Sequence, residues 1–258
     1  MTRTLIIIPS RMAATRLPGK PLLKINNLSM ISHVFKRGEE ANVGEVVVAT
    51  EDQEIFDDVL KNGGRAVLTN NKHKTGTDRV FEAYKKLEIK NIDYILNLQG
   101  DEPNINKNDI IRLNHFMINS QSDIGTLAVK IKNNLILNNK DVVKVITKDK
   151  LESDNFPVAL NFVRNNSLKT NENIYHHIGI YCYKVSILEK FINLKQTQNE
   201  IDNKLEQLRA LDNGLDINVA LAESSPIGVD TKEDYLAIKK IMEYKLLKWA
   251  KYIFKEVL

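Results

Sequence analysis

Two hydrophobic patterns alternate over the first half of the chain. Leu5, Ile6, Ile7 and Ile8 form a continuous apolar run with β-branched residues, the mark of a strand buried on both faces of a parallel sheet. Pro9 is expected to end it, because proline cannot donate to a central ladder. Ser29 then stands where a helix cap belongs, ahead of Met30, Ile31, Val34 and Phe35 at helical spacing. GEVVVAT, residues 44–50, predicts a second buried strand. Residues 53–62 predict a helix closed by Gly63-Gly64, and Ala66 to Thr69 a third strand. DYILNLQGDEP, residues 93–103, predicts a further buried strand running into Gln99-Gly100-Asp101-Glu102, with a helix over 106–119 behind it. Strands alternating with helices predict a three-layer α/β fold, a mostly parallel sheet flanked by helices.

From about 123 to 185 the pattern changes. IGTLAVKI, VVKVIT, PVALNFV and HHIGIYCYKV are apolar runs joined by Asn- and Lys-rich turns, which predicts a small antiparallel extension or subdomain. EIDNKLEQLRALD, from Glu200, predicts one amphipathic helix ended by Gly214, with Leu205, Leu208 and Leu211 on its core face. Glu206 and Arg209 on it read as a surface ion pair. DINVALAE predicts a strand, and Gly228-Val229-Asp230 leads into a helix that Thr231 and Asp234 can box. The main domain is read as 1–235 and residues 236–258 as a C-terminal amphipathic helix. Its stripe is Ile238, Met242, Trp249, Ile253 and Val257, opposed by lysines. Such a helix docks on the protein or its partner, or lies weakly on an anionic membrane surface.

Composition narrows the class without choosing an activity. A chain of 258 residues with 43% hydrophobic and 27% charged residues can bury one sizeable core. A net charge of +4 suits an anionic small substrate and leaves no nucleic-acid footprint. The single cysteine, Cys182, reads as a buried small residue and suits a reducing cytoplasm. The apolar run at the N-terminus is too short for a signal segment or a membrane span.

The candidate chemistry begins directly after the first strand. Arg11, Arg16 and Lys20 lie in a loop whose small residues Ala13, Ala14 and Gly19 let the backbone approach a ligand. A cationic loop at the carboxyl end of a parallel strand is where α/β sheets bind ligands, and triphosphate is its natural guest. A solvated basic turn would carry the same cations. The loop lacks G-x-x-x-x-G-K-[ST] and G-x-G-x-x-G, which disfavours a P-loop and a dinucleotide-binding dehydrogenase. Carboxylates at the end of the LNLQGDEP strand suit a hard divalent cation. In HKTGTDR, residues 73–79, Gly76 sits in a turn whose backbone could read a base edge, or which caps a helix starting after Thr77 or Asp78. No Ser-His-Asp or Cys-His arrangement is visible.

The loop as spelled, S-R-x-x-x-T-R-L-P-G-K-P-L, resembles the signature of the sugar-acid cytidylyltransferases, which load 3-deoxy-manno-octulosonate (KDO) or sialic acid onto CMP. TGTDR, LQGDEP, HHIGIY, LEQLRAL and GVDTKEDY resemble further segments of that family in the same order, and several look most like its KDO branch. The resemblance implies a nucleotide-diphospho-sugar transferase-like fold and transfer of CMP from CTP to KDO for lipopolysaccharide synthesis. It implies Lys20, Asp101 and Asp230 as the catalytic group, with Mg²⁺ on Asp101 and Asp230. Arg11, Arg16, Lys20, Gly76 and Thr77 would meet CTP, and Arg79, Gln99, Arg164, His177, Glu206 and Gln207 the sugar acid. A homodimer is implied as well. A cytidylyltransferase for another sugar acid and a nucleotide-sensing module are the alternatives. The chain departs from the family at His176, in Phe162-Val163-Arg164-Asn165-Asn166 and at Asn27-Leu28-Ser29.

Overall fold

Leu5, Ile6, Ile7 and Ile8 are completely buried, and the strand that carries them, β1 (Thr4–Ser10), lies in the middle of the sheet. The computed structural model describes residues 2–13, 16–73, 75–164 and 173–256, with no side-chain description for 134 and 245–256. After β1 come a short 3₁₀ turn (Lys20–Leu22), a hairpin of β2 (Lys24–Ile25) and β3 (Leu28–Ser29), and α1 (Met30–Ala41). The chain continues through β4 (Gly44–Thr50), α2 (Gln53–Lys61), β5 (Ala66–Leu68), α3 (Gly76–Leu87) and β6 (Tyr94–Asn97). Next are α4 (Lys107–Ser120), β7 (Ile124–Lys130), α5 (Asn134–Asn138), β8 (Lys144–Thr147), β9 (Ala159–Val163) and β10 (Ile174–Lys184). The last elements are α6 (Val185–Ile192), α7 (Gln198–Asn203), α8 (Leu208–Asp212), β11 (Ile217–Leu221) and α9 (Lys232–Glu256).

The main sheet runs β11-β7-β10-β6-β1-β4-β5. β6, β1, β4 and β5 are parallel, β11 is parallel to β7, and β10 runs antiparallel between β7 and β6. The first residues of β10 also pair with β8, which pairs with β9, so these two form the antiparallel extension while β7 and β10 stay in the main sheet. Alternation along β1 divides the core. Leu5 and Ile7 join Val80 and Ala83 of α3 and Leu188 and Phe191 of α6 on one face. Ile6 and Ile8 join Ile31 and Val34 of α1 and Ile110 and Leu113 of α4 on the other, which makes the three layers.

Three local expectations change. β1 does not stop at Pro9 but continues to Ser10. β6 pairs with β1 only as far as Ile7, so the missing proline donor faces the side where that neighbour has already ended. Helix α3 starts at Gly76, earlier than expected, because Thr75 and Asp78 form a reciprocal capping box. The single helix expected from Glu200 is two. Lys204 takes a left-handed φ of 52° and closes α7, and the chain restarts as α8. That break buries Leu205 and Leu208 together and turns Arg209 inward, 4% exposed, against Glu200 instead of onto a surface.

The C-terminal helix docks at its beginning. Ile238 is fully buried against Ile25, Met30 and Val229, with Met242 beside them. Trp249, Ile253 and Val257 fall outside the described side chains. Leu236, Ile241 and Tyr244 face solvent.

Candidate active site at the carboxyl ends of β1 and β6

From β1 the chain winds to β4 and β5 and then returns to the opposite side of β1 at β6. The carboxyl ends of β1 and β6 therefore flank a topological switch point, where open α/β sheets leave a crevice. A cavity of about 350 Å³ opens there, lined by Pro9, Ser10, Arg11, Ala13, Arg16, Lys20, Pro21, His73, Thr75, Gly76, Arg79, Gln99, Gly100, Asp101 and Asp230. Eight of the expected site residues thus share one wall system: Arg11, Arg16, Lys20, Gly76, Arg79, Gln99, Asp101 and Asp230. Close packing makes this convergence possible. A Cβ on Gly100 would lie 2.9 Å from the Pro9 carbonyl, so only glycine lets the end of β6 approach β1 so closely.

Lys20 is the ionic centre. Its Nζ donates to Asp101 Oδ2 at 2.8 Å, Asp230 Oδ1 at 3.1 Å and the Val229 carbonyl at 2.8 Å. Burial works against its charge, yet the carboxylates of Asp101 and Asp230 outweigh it and hold the lysine pKa above its ordinary value. Arg16 donates to the other oxygen of Asp230 at 2.8 Å. The Val229 amide donates to the Asp101 carbonyl at 3.0 Å and ties the two carboxylate-bearing segments together. Two carboxylates from distant segments therefore aim at one cation. That donor set fits magnesium, which takes one or two carboxylates plus phosphate oxygens and waters. No group of three or more His, Cys, Asp or Glu side chains gathers into a metal cage among the described residues, so the remaining ligands would come from substrate and water.

The opposite wall is cross-linked by polar contacts. Arg79 is buried and donates to Thr69 Oγ1 at 2.6 Å and to Glu51. His73 meets Glu82, which also accepts from the Asn70 amide and pairs with Lys86. Burial pushes the Glu82 carboxyl up, but the hydrogen bonds from Lys86, His73 and Asn70 prevail and hold its pKa down at about 2. A carboxyl depressed on folding stabilises the protein above its unfolded pKa, and that stabilisation is lost as pH falls through the folded value. Glu82→Gln is accordingly expected to lower the melting temperature at pH 7 by several degrees, from a loss of up to ~3 kcal/mol. The gap from wild type should close between about pH 4.5 and 2, as melting scans across that range would read. A gap that persists at pH 2 would mean the carboxyl is not held down by these bonds.

The expected sugar-acid residues are divided. Gln99 spans two regions, lining the cavity and donating from Nε2 to the Gly179 carbonyl at 2.9 Å. Gly179 lies where β10 shifts register against β7, between Ile178 and Tyr181. His177 and Tyr181 flank this irregularity, their rings 5.5 Å apart. Burial holds the His177 pKa down at about 3, so the ring is neutral, and its Nε2 lies 3.0 Å from Thr126 Oγ1. Thr77 turns away from the cavity and donates to Glu206 Oε2 at 2.7 Å. Burial pushes the Glu206 carboxyl above its ordinary pKa. Gln207 sits at the start of α8. Arg164 is outside the cavity, with Nε 3.3 Å from the Asn203 carbonyl and Nη1 3.3 Å from that of Asp141. Its own carbonyl accepts from the fully buried Lys144 at 2.7 Å.

The sequence reading missed two polar neighbours of the expected Glu206. Asn97 Oδ1 and Tyr181 Oη are buried with no hydrogen-bond partner among the described residues, and the two residues face each other in the β6–β10 register. Buried polar atoms of this kind are commonly met by ordered water or a ligand. A polar Asn97 ending an otherwise apolar strand was the signal available for one of them.

The family description "Cytidylyltransferase" matches residues 5–217. A 3-deoxy-manno-octulosonate cytidylyltransferase of Rhodopseudomonas palustris (strain BisB18) is 42% identical over 244 residues, covering 94% of this chain and 99% of that one. The protein of that name from Afipia carboxidovorans (strain OM5) is 43% identical over 240 residues, covering 93% and 96%. Among solved structures, a CMP:2-keto-3-deoxy-manno-octonic acid synthetase complexed with CTP superposes with a TM-score of 0.86 at 33% identity, covering 95% of this chain and all of that one. A cytidylyltransferase from Leptospira borgpetersenii, at 20% identity and a TM-score of 0.63 over 95% of this chain and 88% of its own, shares the fold.

Proposed function

The chain belongs to the cytidylyltransferase family, and from that premise we propose that it transfers CMP from CTP to the anomeric hydroxyl of KDO, releasing diphosphate and forming CMP-KDO. The observation that carries this reading is the convergence of Asp101, Asp230 and Lys20 beside a cavity that Arg11 and Arg16 also line. The attacking hydroxyl and the leaving diphosphate must lie in line about the α-phosphorus, so the work of the protein is positioning and charge compensation.

In this reading Lys20, Arg11 and Arg16 offset negative charge on the triphosphate and then on the departing diphosphate. Gly76 lines the cavity at the start of α3, where its backbone would meet the base. Thr77 orients Glu206 from behind, so its contribution to CTP binding runs through the helix start and not through its hydroxyl. Gln99, neutral His177, Glu206 and Gln207 would present hydrogen-bonding groups to the sugar acid, with Arg79 beside it on the cavity wall. Arg164 would meet the sugar-acid carboxylate after exchanging its two long carbonyl bonds for it. Asp101 and Asp230 would hold Mg²⁺, which when bound offsets phosphate charge and makes a hydroxyl at the site more acidic.

We further propose a cytoplasmic homodimer serving lipopolysaccharide synthesis. Support for the dimer is the edge strand β9, which pairs with β8 and presents Leu160 at 59% exposure. Support for the compartment is the single, fully buried Cys182, whose thiol burial pushes up. None of the described helices is long and apolar enough to cross a membrane. The buried Ile238 favours docking of the tail on the protein over a membrane surface.

Diphosphate release measured with CTP, Mg²⁺ and KDO tests the reaction, with sialic acid and UTP as the paired controls. Release is expected with CTP and KDO and at least about a hundredfold slower with either replacement. Release with sialic acid at the same rate would move the substrate assignment to another sugar acid. Binding of CTP with no release in any mixture would leave a nucleotide-sensing module.

A further inference from the structure

We propose that Lys20 and Arg16 act as internal counter-ions of Asp101 and Asp230 in the free enzyme, so that the divalent cation and the nucleotide load as one linked event. The proposal rests on the reading of the two carboxylates as the metal ligands.

An ammonium has three protons to donate, and Lys20 spends them on Asp101, Asp230 and the Val229 carbonyl. No donor remains for a phosphate while those bonds hold. Both oxygens of Asp230 are taken too, Oδ1 by Lys20 and Oδ2 by Arg16. A divalent cation arriving alone would meet carboxylates that already carry two positive charges, with Lys20 in the space between them. A nucleotide arriving alone would meet Lys20 and Arg16 already neutralised. The four groups form a closed, self-compensated set of two cations and two anions.

Arrival of a metal–triphosphate pair re-sorts that set so that each of the four groups again faces a partner of opposite charge. The phosphates take Lys20 and Arg16, and the metal takes Asp101 and Asp230. The backbone is arranged for this exchange. The Val229 amide bonded to the Asp101 carbonyl fixes the anions relative to each other, and Asp230 is braced by its own amide to Asp234 at 3.1 Å. Of the four groups Arg16 is the most exposed, at 66% of its side chain, whereas Lys20 is 14% exposed and would redirect its ammonium in place. Because linkage is reciprocal, whatever the cations withhold from the metal in the free enzyme, the nucleotide returns.

Manganese alone, with no nucleotide, is the direct probe, its binding read by electron paramagnetic resonance of free Mn²⁺ or by calorimetry, with melting as the folding control. Wild type is expected to bind Mn²⁺ weakly and Lys20→Met at least about tenfold more tightly, since an ammonium beside both carboxylates is removed. Arg16→Met should show a smaller gain, because that pair is exposed. Lys20→Arg should stay weak, and adding Asp230→Asn to Lys20→Met should erase the gain. Mn²⁺ binding by Lys20→Met no tighter than by wild type would overturn the counter-ion proposal. If Asp230→Asn then still abolished the Mn²⁺ uptake that CTP brings to the wild-type protein, the metal assignment would stand without it. If neither Lys20→Met alone nor wild type with CTP took up Mn²⁺ beyond what CTP binds by itself, both readings would fall. Should Lys20→Met fail to fold, Arg16→Met decides the matter by the sign of its change.

Discussion

Asp101→Asn and Asp230→Asn are each expected to lower turnover by at least about a hundredfold while the fold persists. Asparagine keeps the shape and one acceptor oxygen but loses the charge that both a divalent cation and Lys20 need. A hundredfold loss corresponds to ~2.7 kcal/mol of transition-state stabilisation, an ordinary magnitude for one polar group aimed at developing charge. The fold is expected to survive because the main links between these segments are backbone ones. Val229 and Asp101 pair through an amide and a carbonyl, and Thr231 and Asp234 cap α9 without help from the Asp230 carboxylate. Steady-state diphosphate release with circular dichroism as the folding control measures both. Near-wild-type turnover in either variant would remove that residue from the metal-binding pair.

The largest stability effect is expected away from the cavity. Arg209→Met should destabilise the protein by ~3–5 kcal/mol. Arg209 and Glu200 are each 5% exposed at the side chain and joined by two bonds, Nε to Oε2 at 2.8 Å and Nη2 to Oε1 at 2.5 Å. Hydrogen bonding to Glu200, together with its charge, raises the arginine pKa. Methionine fills similar volume but leaves a buried carboxylate without its partner, which is the costly way to break such a pair. The guanidinium also lies 4.8 Å over the Phe191 ring, and methionine cannot supply that cation–π attraction. Denaturant unfolding should show the full loss in Arg209→Met. The double variant with Glu200→Gln should recover part of it, because the stranded charge is then gone. A change under about 1 kcal/mol would mean the pair is hydrated in solution.

The placement of Arg209 shows where reading the chain stops. Three residues after Glu206 in an amphipathic stretch, it looks like half of a surface pair. Nothing local says that Lys204 will turn left-handed, split the helix and carry Arg209 onto Glu200. Lys144 makes the same point: a lysine in an apolar strand pattern is fully buried because three carbonyls, including that of Arg164, happen to surround its ammonium. Thr77 likewise belongs to a recognisable motif, yet its hydroxyl serves Glu206, which lies 129 residues on.

What the chain alone determined is whatever depends on neighbours in sequence. The four-residue apolar run of β1, the strand 44–50, the caps at Ser29 and Thr231 and the switch to successive strands beyond residue 123 all follow from side-chain period, proline and hydroxyl chemistry, which act within a turn or a pleat. Lys20, Asp101 and Asp230 were legible as three separate candidates because each stands in a distinctive local spelling. Their meeting within 3.1 Å was decided only by the sheet order, which brings the ends of β1 and β6 side by side and folds the segment before α9 across them. Distances between residues 81 and 210 positions apart are set by how layers pack over a shared core, and no local pattern encodes that.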